Sequence, residues 1–106
     1  MKPSKQERNC IMLALNSHYT CTQLTAERLA EHIGISVRHL NNLCHAYFGK
    51  TPSKLIQWYR IQKALEFYST IGKEHFVCSM VGFDNSRTFK AALKEYQRNH
   101  SHQTNL

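Results

Sequence analysis

The chain has 106 residues and carries 14 Lys and Arg against 7 Asp and Glu, a formal net charge of +7. That length allows one domain, or two very small ones sharing a helix, with a core that needs neither disulfides nor metal. Residues 1–9 are polar, Ile11 to Leu15 is too short for the apolar part of a secretory signal, and no apolar run approaches the ~20 residues of a membrane span, so neither a secretory signal nor a membrane-spanning segment is expected.

The charge is unevenly placed. Residues 1–37 hold four basic and three acidic residues, a net of +1, whereas residues 38–106 hold ten basic and four acidic, a net of +6. A basic bias of that size favours a polyanionic partner, and nucleic acid is the commonest. The four cysteines, Cys10, Cys21, Cys44 and Cys78, form no CxxC pair, and a reducing cytoplasm is their natural compartment.

Helix signals dominate. A first helix is expected from about Ser4 to His18, with Ile11, Met12, Leu15 and Tyr19 at helical spacing. Thr25 reads as an N-cap, followed by Glu27 at the positive end of the helix dipole and by Ala26, Leu29, Ala30 and Ile33 as one buried stripe. Gly34 stops that helix. Ser36 caps the next, whose inner face is Val37, Leu40, Leu43, Cys44 and Tyr47, and Gly49 ends it. Thr51-Pro52-Ser53 starts a long helix to about Ser69, with Ile61, Ala64, Leu65 and Tyr68 on one stripe. After Gly72 a short helix is expected over Glu74 to Val81, closed by Gly82. The last helix begins near Asp84 or Asn85 and buries Phe89, Ala92, Leu93 and Tyr96, and a polar tail follows from Asn99.

The chain echoes itself. Ala30-x-x-Ile33-Gly34-Ile35-Ser36 returns 48 residues later as Cys78-x-x-Val81-Gly82-Phe83-Asp84, and beyond the glycine Leu40, Leu43 and Tyr47 match Phe89, Ala92 and Tyr96 with one extra residue. Two copies of helix, glycine turn and capped helix are the sequence form of two helix-turn-helix units. Each second helix leaves a polar face outward, as a helix that replaces water at base edges must. In the first unit that face is Arg38, Asn41, Asn42 and His45, and in the second it is Arg87, Lys90, Ala91 and Lys94, with Ser86 near the helix start. Arg grips guanine in two places, Asn does the same for adenine, and Ala meets the thymine methyl. All of these side chains are therefore candidates for contact with DNA. A solvated surface is the alternative for either stripe taken alone. His39, Cys44, His45 and the tail pair His100 and His102 match no zinc spacing, and no metal or cofactor is expected. No nucleophile motif or phosphate-cradling glycine loop is present, so an enzyme is not expected.

Several of these motifs, in this order, resemble one family. Leu24-Thr25-Ala26-Glu27-Arg28-Leu29-Ala30, then Gly34-Ile35-Ser36-Val37-Arg38-His39-Leu40, then Phe48-Gly49-Lys50-Thr51-Pro52-Ser53 look like the first half of an AraC/XylS-type DNA-binding domain. Arg60-Ile61-x-x-Ala64 and Val81-Gly82-Phe83-Asp84-Asn85-Ser86-x-x-Phe89-Lys90 resemble its second half, and the likeness covers residues 8–98. Three places depart from it: Glu74 or His75 where an isoleucine is usual, Cys44 where a phenylalanine is, and Gln97 to His102 in place of the closing motif. The resemblance implies an all-α fold of about seven helices, with two helix-turn-helix subdomains joined by a long central helix. The expected divisions are 1–50 for the first lobe, 51–70 for the connecting helix, 71–98 for the second lobe and 99–106 for the tail. It also implies a bacterial regulator that binds promoter DNA, usually an activator that contacts RNA polymerase, in which by position Arg38, Asn41 and Asn42, then Ser86, Arg87, Lys90 and Ala91, read bases, with His45 and Lys94 at the backbone or its flanks. The two recognition helices differ in sequence, so a monomer on an asymmetric site of two successive major-groove segments is expected. Met1 and the polar tail favour a complete protein, for which no sensing domain is expected, and an excised domain is the alternative. The rival class is a DNA-incompetent adaptor or antagonist that binds RNA polymerase or another regulator.

Overall fold

A computed structural model describes residues 5–104, with side chains from residue 6 to residue 98. Five α-helices carry the fold: α1 (Lys5–His18), α2 (Ala26–Ile33), α3 (Val37–Phe48), α4 (Pro52–Ile71) and α5 (Ser86–Thr104). Their starts follow from short-range chemistry. The hydroxyls of Thr25, Ser36 and Thr51 accept from the N–H groups of Arg28, His39 and Lys54, three residues on, at 3.3, 3.0 and 3.3 Å. Each satisfies an N–H that the helix leaves open. Pro52, at the first helical position of α4, needs no such partner. Ser4, the expected start of α1, and the side chains of His100 and His102 lie outside the described residues.

Two stretches depart from expectation. No α-helix spans Glu74 to Val81. That segment holds two 3-10 turns, Lys73–His75 and Cys78–Val81, with Phe76 and Val77 extended between them (φ −79° and −122°). Neither turn has a side-chain cap, and the extended link lets the Phe76 ring pack between Tyr68 and Phe89, with centroids 5.0 and 5.4 Å away. A cluster of edge-on and tilted aromatic rings thus overrides a weak helix signal. Val37 is the other: expected inside, it is 40% exposed, because it stands at the first position of α3 on the margin of the inner face.

The buried residues form two clusters that meet on α4. One joins Ile11, Leu15, Leu29, Leu40, Leu43 and Cys44 to Leu55, Ile56 and Tyr59. The other joins Ile61 and Ala64 to Val81, Phe83, Phe89 and Ala92. Each fully buried Leu or Ile contributes about 1.5–3 kcal/mol. Tyr19 packs against both clusters, and Arg60 ties them. Its Nε donates to the Tyr19 carbonyl at 3.0 Å and its Nη2 to the Cys21 carbonyl at 2.7 Å, while its guanidinium lies 5.8 Å from the Phe83 ring centroid. Burial pushes the Arg60 pKa below its ordinary value, and the nearby Cys21 and Asp84 push it back up. Gly82 sits against the same spot with φ +92°: a Cβ there would run into the Tyr19 carbonyl and lie 2.8 Å from Arg60 Nε.

The expected pair of helix-turn-helix subdomains joined by a connector is therefore corrected. The fold is one all-α domain with one helix-turn-helix, α2–α3. The second candidate has a four-residue 3-10 turn where its first α-helix should be, and α4 is a shared wall of the core rather than a link between lobes.

Candidate nucleic-acid interface

The helix-turn-helix is built from α2 upward. Leu29 and Ala30 are buried. At the α2 end, Gly34 takes φ +88°, and the N–H groups of Gly34 and Ile35 both donate to the Ala30 carbonyl, at 2.8 and 3.1 Å. This left-handed turn aims the chain at Ser36, which caps α3. Leu40, Leu43 and Cys44 then fix one side of α3 in the core. Burial pushes the Cys44 thiol up to about 11. The opposite side carries the expected stripe: Arg38, Asn42 and His45 are exposed and Asn41 is half-buried. His39, on the flank, reaches α1, its Nε2 lying 3.6 Å from Glu7 Oε2.

On α5, Asn85 supplies the cap, its Oδ1 accepting from the Thr88 N–H at 2.9 Å. Phe89 and Ala92 are buried against α4. Ser86, Arg87, Lys90, Ala91 and Lys94 are all exposed, so the second stripe also forms one outward face. The first turns of α1 and α2 hold Glu7 and Glu27, but those of α3, α4 and α5 hold no acidic residue. No carboxylate within the first turn offsets the positive ends of those three helices, an arrangement suited to phosphate.

Between the end of α3, the start of α4 and the middle of α5 lies a groove of about 720 Å³, lined by His45, Lys50, Lys54, Trp58, Glu95 and Tyr96 among others. Lys50 Nζ sits 5.6 Å from the Trp58 ring centroid. Lys54 Nζ donates to both Glu95 oxygens, at 3.1 and 3.2 Å, and Gln57 Nε2 donates to one of them at 3.1 Å. The Lys54 and Gln57 hydrogen bonds hold the Glu95 carboxyl below its ordinary pKa. Both ends of the ion pair are open to water, at 56% and 42% side-chain exposure, and pairs of that kind add at most about 1 kcal/mol.

The groove brings His45, the last residue of the first stripe, to the same cleft as the edge of α5. Sequence reasoning missed Lys50, Lys54 and Glu95. One signal was available: Glu95 is the only acidic residue after Asp84. Among the described residues, no group of three or more His, Cys, Asp or Glu could hold a metal ion. The rings of His18 and His32 stack at 3.7 Å between centroids, away from both stripes.

This arrangement is that of a helix-turn-helix DNA-binding domain of the transcription-regulator type. The chain belongs to the family described as helix-turn-helix domain, whose model matches residues 29–99. Two solved structures are similar to it. One is the C-terminal domain of the two-component response regulator yesN from Fusobacterium nucleatum, with a TM-score of 0.72 and 21% identity over 88% of this chain and 99% of that one. The other is the C-terminal domain of AraT, a response regulator from Geobacillus stearothermophilus, with a TM-score of 0.72 and 26% identity over 88% of this chain and 77% of that one. No curated protein matches the chain. The assignment to the AraC/XylS family is corrected accordingly: the chain resembles response-regulator C-terminal domains and has a single helix-turn-helix. As a member of a non-catalytic DNA-binding family, it is not an enzyme. No helix of the described residues is long and apolar enough to cross a membrane.

Proposed function

We propose that the chain regulates transcription by reading an asymmetric promoter site, with α3 in one major-groove segment and the outward face of α5 against the next. The observation that carries this is the pair of exposed stripes, each on a helix whose inner side is locked in the core and whose first turn lacks an acidic residue. Arg38, Asn41 and Asn42 read bases from α3, and Ser86, Arg87, Lys90 and Ala91 do so from α5. His45 and Lys94 meet the backbone. The two stripes differ in sequence, so the two DNA segments differ, with centres about one duplex turn, roughly 34 Å, apart. The protein acts in the cytoplasm as a monomer and activates through contact with RNA polymerase.

Selection of bound duplexes from a random library, followed by footprinting and mass photometry, tests this. The expected result is one protein per duplex and two unlike protected segments. A palindromic site holding two copies, or no enrichment of any sequence, is incompatible with it.

A further inference from the structure

Glu95 is out of place on a face that meets DNA. It follows Lys94 directly and lies at the margin of the α5 stripe, where a carboxylate repels phosphate. It also occupies a cation. Lys54 stands in the first turn of α4, the positive end of that helix, with no acidic residue in the turn to offset it. Its ammonium is exposed, lines the groove that also holds His45 and Lys50, and has both Glu95 oxygens as acceptors. A phosphate offers the same ammonium two acceptor oxygens of the same kind. A carboxylate that water already reaches is readily displaced by one.

We propose that Lys54 is a phosphate ligand which Glu95 keeps occupied in the free protein, and that DNA backbone entering the groove between α3 and α5 takes Lys54 over. This rests on the DNA-reading function above and adds a means of discrimination to it. A duplex engaged by one helix alone leaves the Lys54–Glu95 pair closed and meets the carboxylate's repulsion. A duplex engaged by both helices opens the pair and gains the contact. Glu95 thus weakens binding to random DNA more than binding to the correct site.

Glu95→Gln keeps the shape and the hydrogen bond with Gln57 while removing the charge. The probes are a duplex enriched by selection and a random-sequence duplex, each titrated over a range of salt for the wild type, Glu95→Gln, Lys54→Ala and the double variant. Glu95→Gln is expected to tighten random-duplex binding about five- to tenfold near 0.1 M salt and to steepen its log–log salt slope by about one, the effect of one added phosphate contact. The selected duplex gains less, so the specificity ratio falls. In the Lys54→Ala background the same change has no effect on the slope. The proposal is overturned by an unchanged or weakened random-duplex affinity in Glu95→Gln, or by an equal gain with Lys54 absent, which would make Glu95 a bulk charge only. A wild type that binds neither duplex removes the function and this inference together, whereas wild-type binding that Glu95→Gln leaves untouched removes this inference alone.

Discussion

Gly34 and Gly82 hold equivalent places in the two echoing segments, and both take left-handed φ, +88° and +92°. Their surroundings differ completely. A Cβ at Gly34 meets nothing within 4 Å, whereas one at Gly82 meets the Tyr19 carbonyl and the Arg60 guanidinium. What precedes each glycine differs as well: an eight-residue α-helix with a threonine cap in one case, two uncapped 3-10 turns in the other. The same local sequence form thus makes an exposed turn between two α-helices once, and a buried crossing point the second time. Turn chemistry is written in the few residues around a glycine. Whether the turn joins two helices depends on what the preceding segment packs against.

Substitution at the two glycines gives the widest separation. Gly82→Ala combines left-handed strain with collision against backbone, and is expected to destabilise by about 3 kcal/mol or more. Gly34→Ala meets only the strain, about 1–2 kcal/mol. Urea unfolding of both variants measures the gap, and equal losses would show that the Gly82 contact carries no weight.

The seal on the first core can be tested by pH. The Cys44 thiol is raised from 9.0 to about 11 by burial. The unfolded thiol ionises at the lower value, so Cys44 contributes fully below pH 9 and its contribution is lost as pH climbs through 11, by about 2–3 kcal/mol at most. Cys44→Ala is expected to flatten the decline of unfolding free energy over that range. A slope the same as wild type would place the thiol in contact with water.

The first segment's capping and its inner stripe were legible in the sequence because their partners lie three or four residues away. Thr25, Ser36 and the Leu29–Ala30 and Leu40–Leu43–Cys44 stripes needed no knowledge of the rest of the chain. The 3-10 link at Phe76 was not legible, since its cause is a ring pocket made by Tyr68 and Phe89. Arg60 reads as a surface cation until Tyr19 and Cys21 are brought beside it, about 40 residues away in sequence. The pairing of Lys54 with Glu95 spans 41 residues and has no local sign beyond the oddity of the acid. The family resemblance misled for a related reason: motif spacing reports turns and stripes, and the second segment has both without the helix that a second unit requires.

On DNA, the two stripes can be compared through their arginines. Arg38→Ala is expected to cost about 1–3 kcal/mol on the selected duplex and to relax preference at one or two base pairs. Arg87→Ala should do the same at a different position. Lys94→Ala should weaken selected and random duplexes alike and flatten the salt slope by about one unit. A base-substitution panel with salt titration reads all three, and an Arg87→Ala variant with intact base preference would make α5 a backbone contact only.

The smallest expected difference is between the caps. Ser36→Ala removes the side-chain acceptor of a helix held in the first core, and Asn85→Ala does so for α5. Each should lower stability by about 1 kcal/mol. Thermal unfolding checks the pair, and a loss confined to one of them would mean that the other helix start is held by packing alone.

Arg60 holds together the parts that carry the two stripes. Its side chain leaves α4, grips the loop that enters α2, and lies against Gly82 and Phe83 just ahead of α5. Swinging α5 and the residues ahead of it away from α3 would part the Phe83 ring and Gly82 from a buried cation that two carbonyls hold in place. For the function proposed here, the protein behaves as a set caliper: its span is fixed before contact, and the bending work falls on the DNA. Base steps between the two contacted segments then matter through their flexibility alone, and sequences that bend easily there bind better without a single side chain touching them.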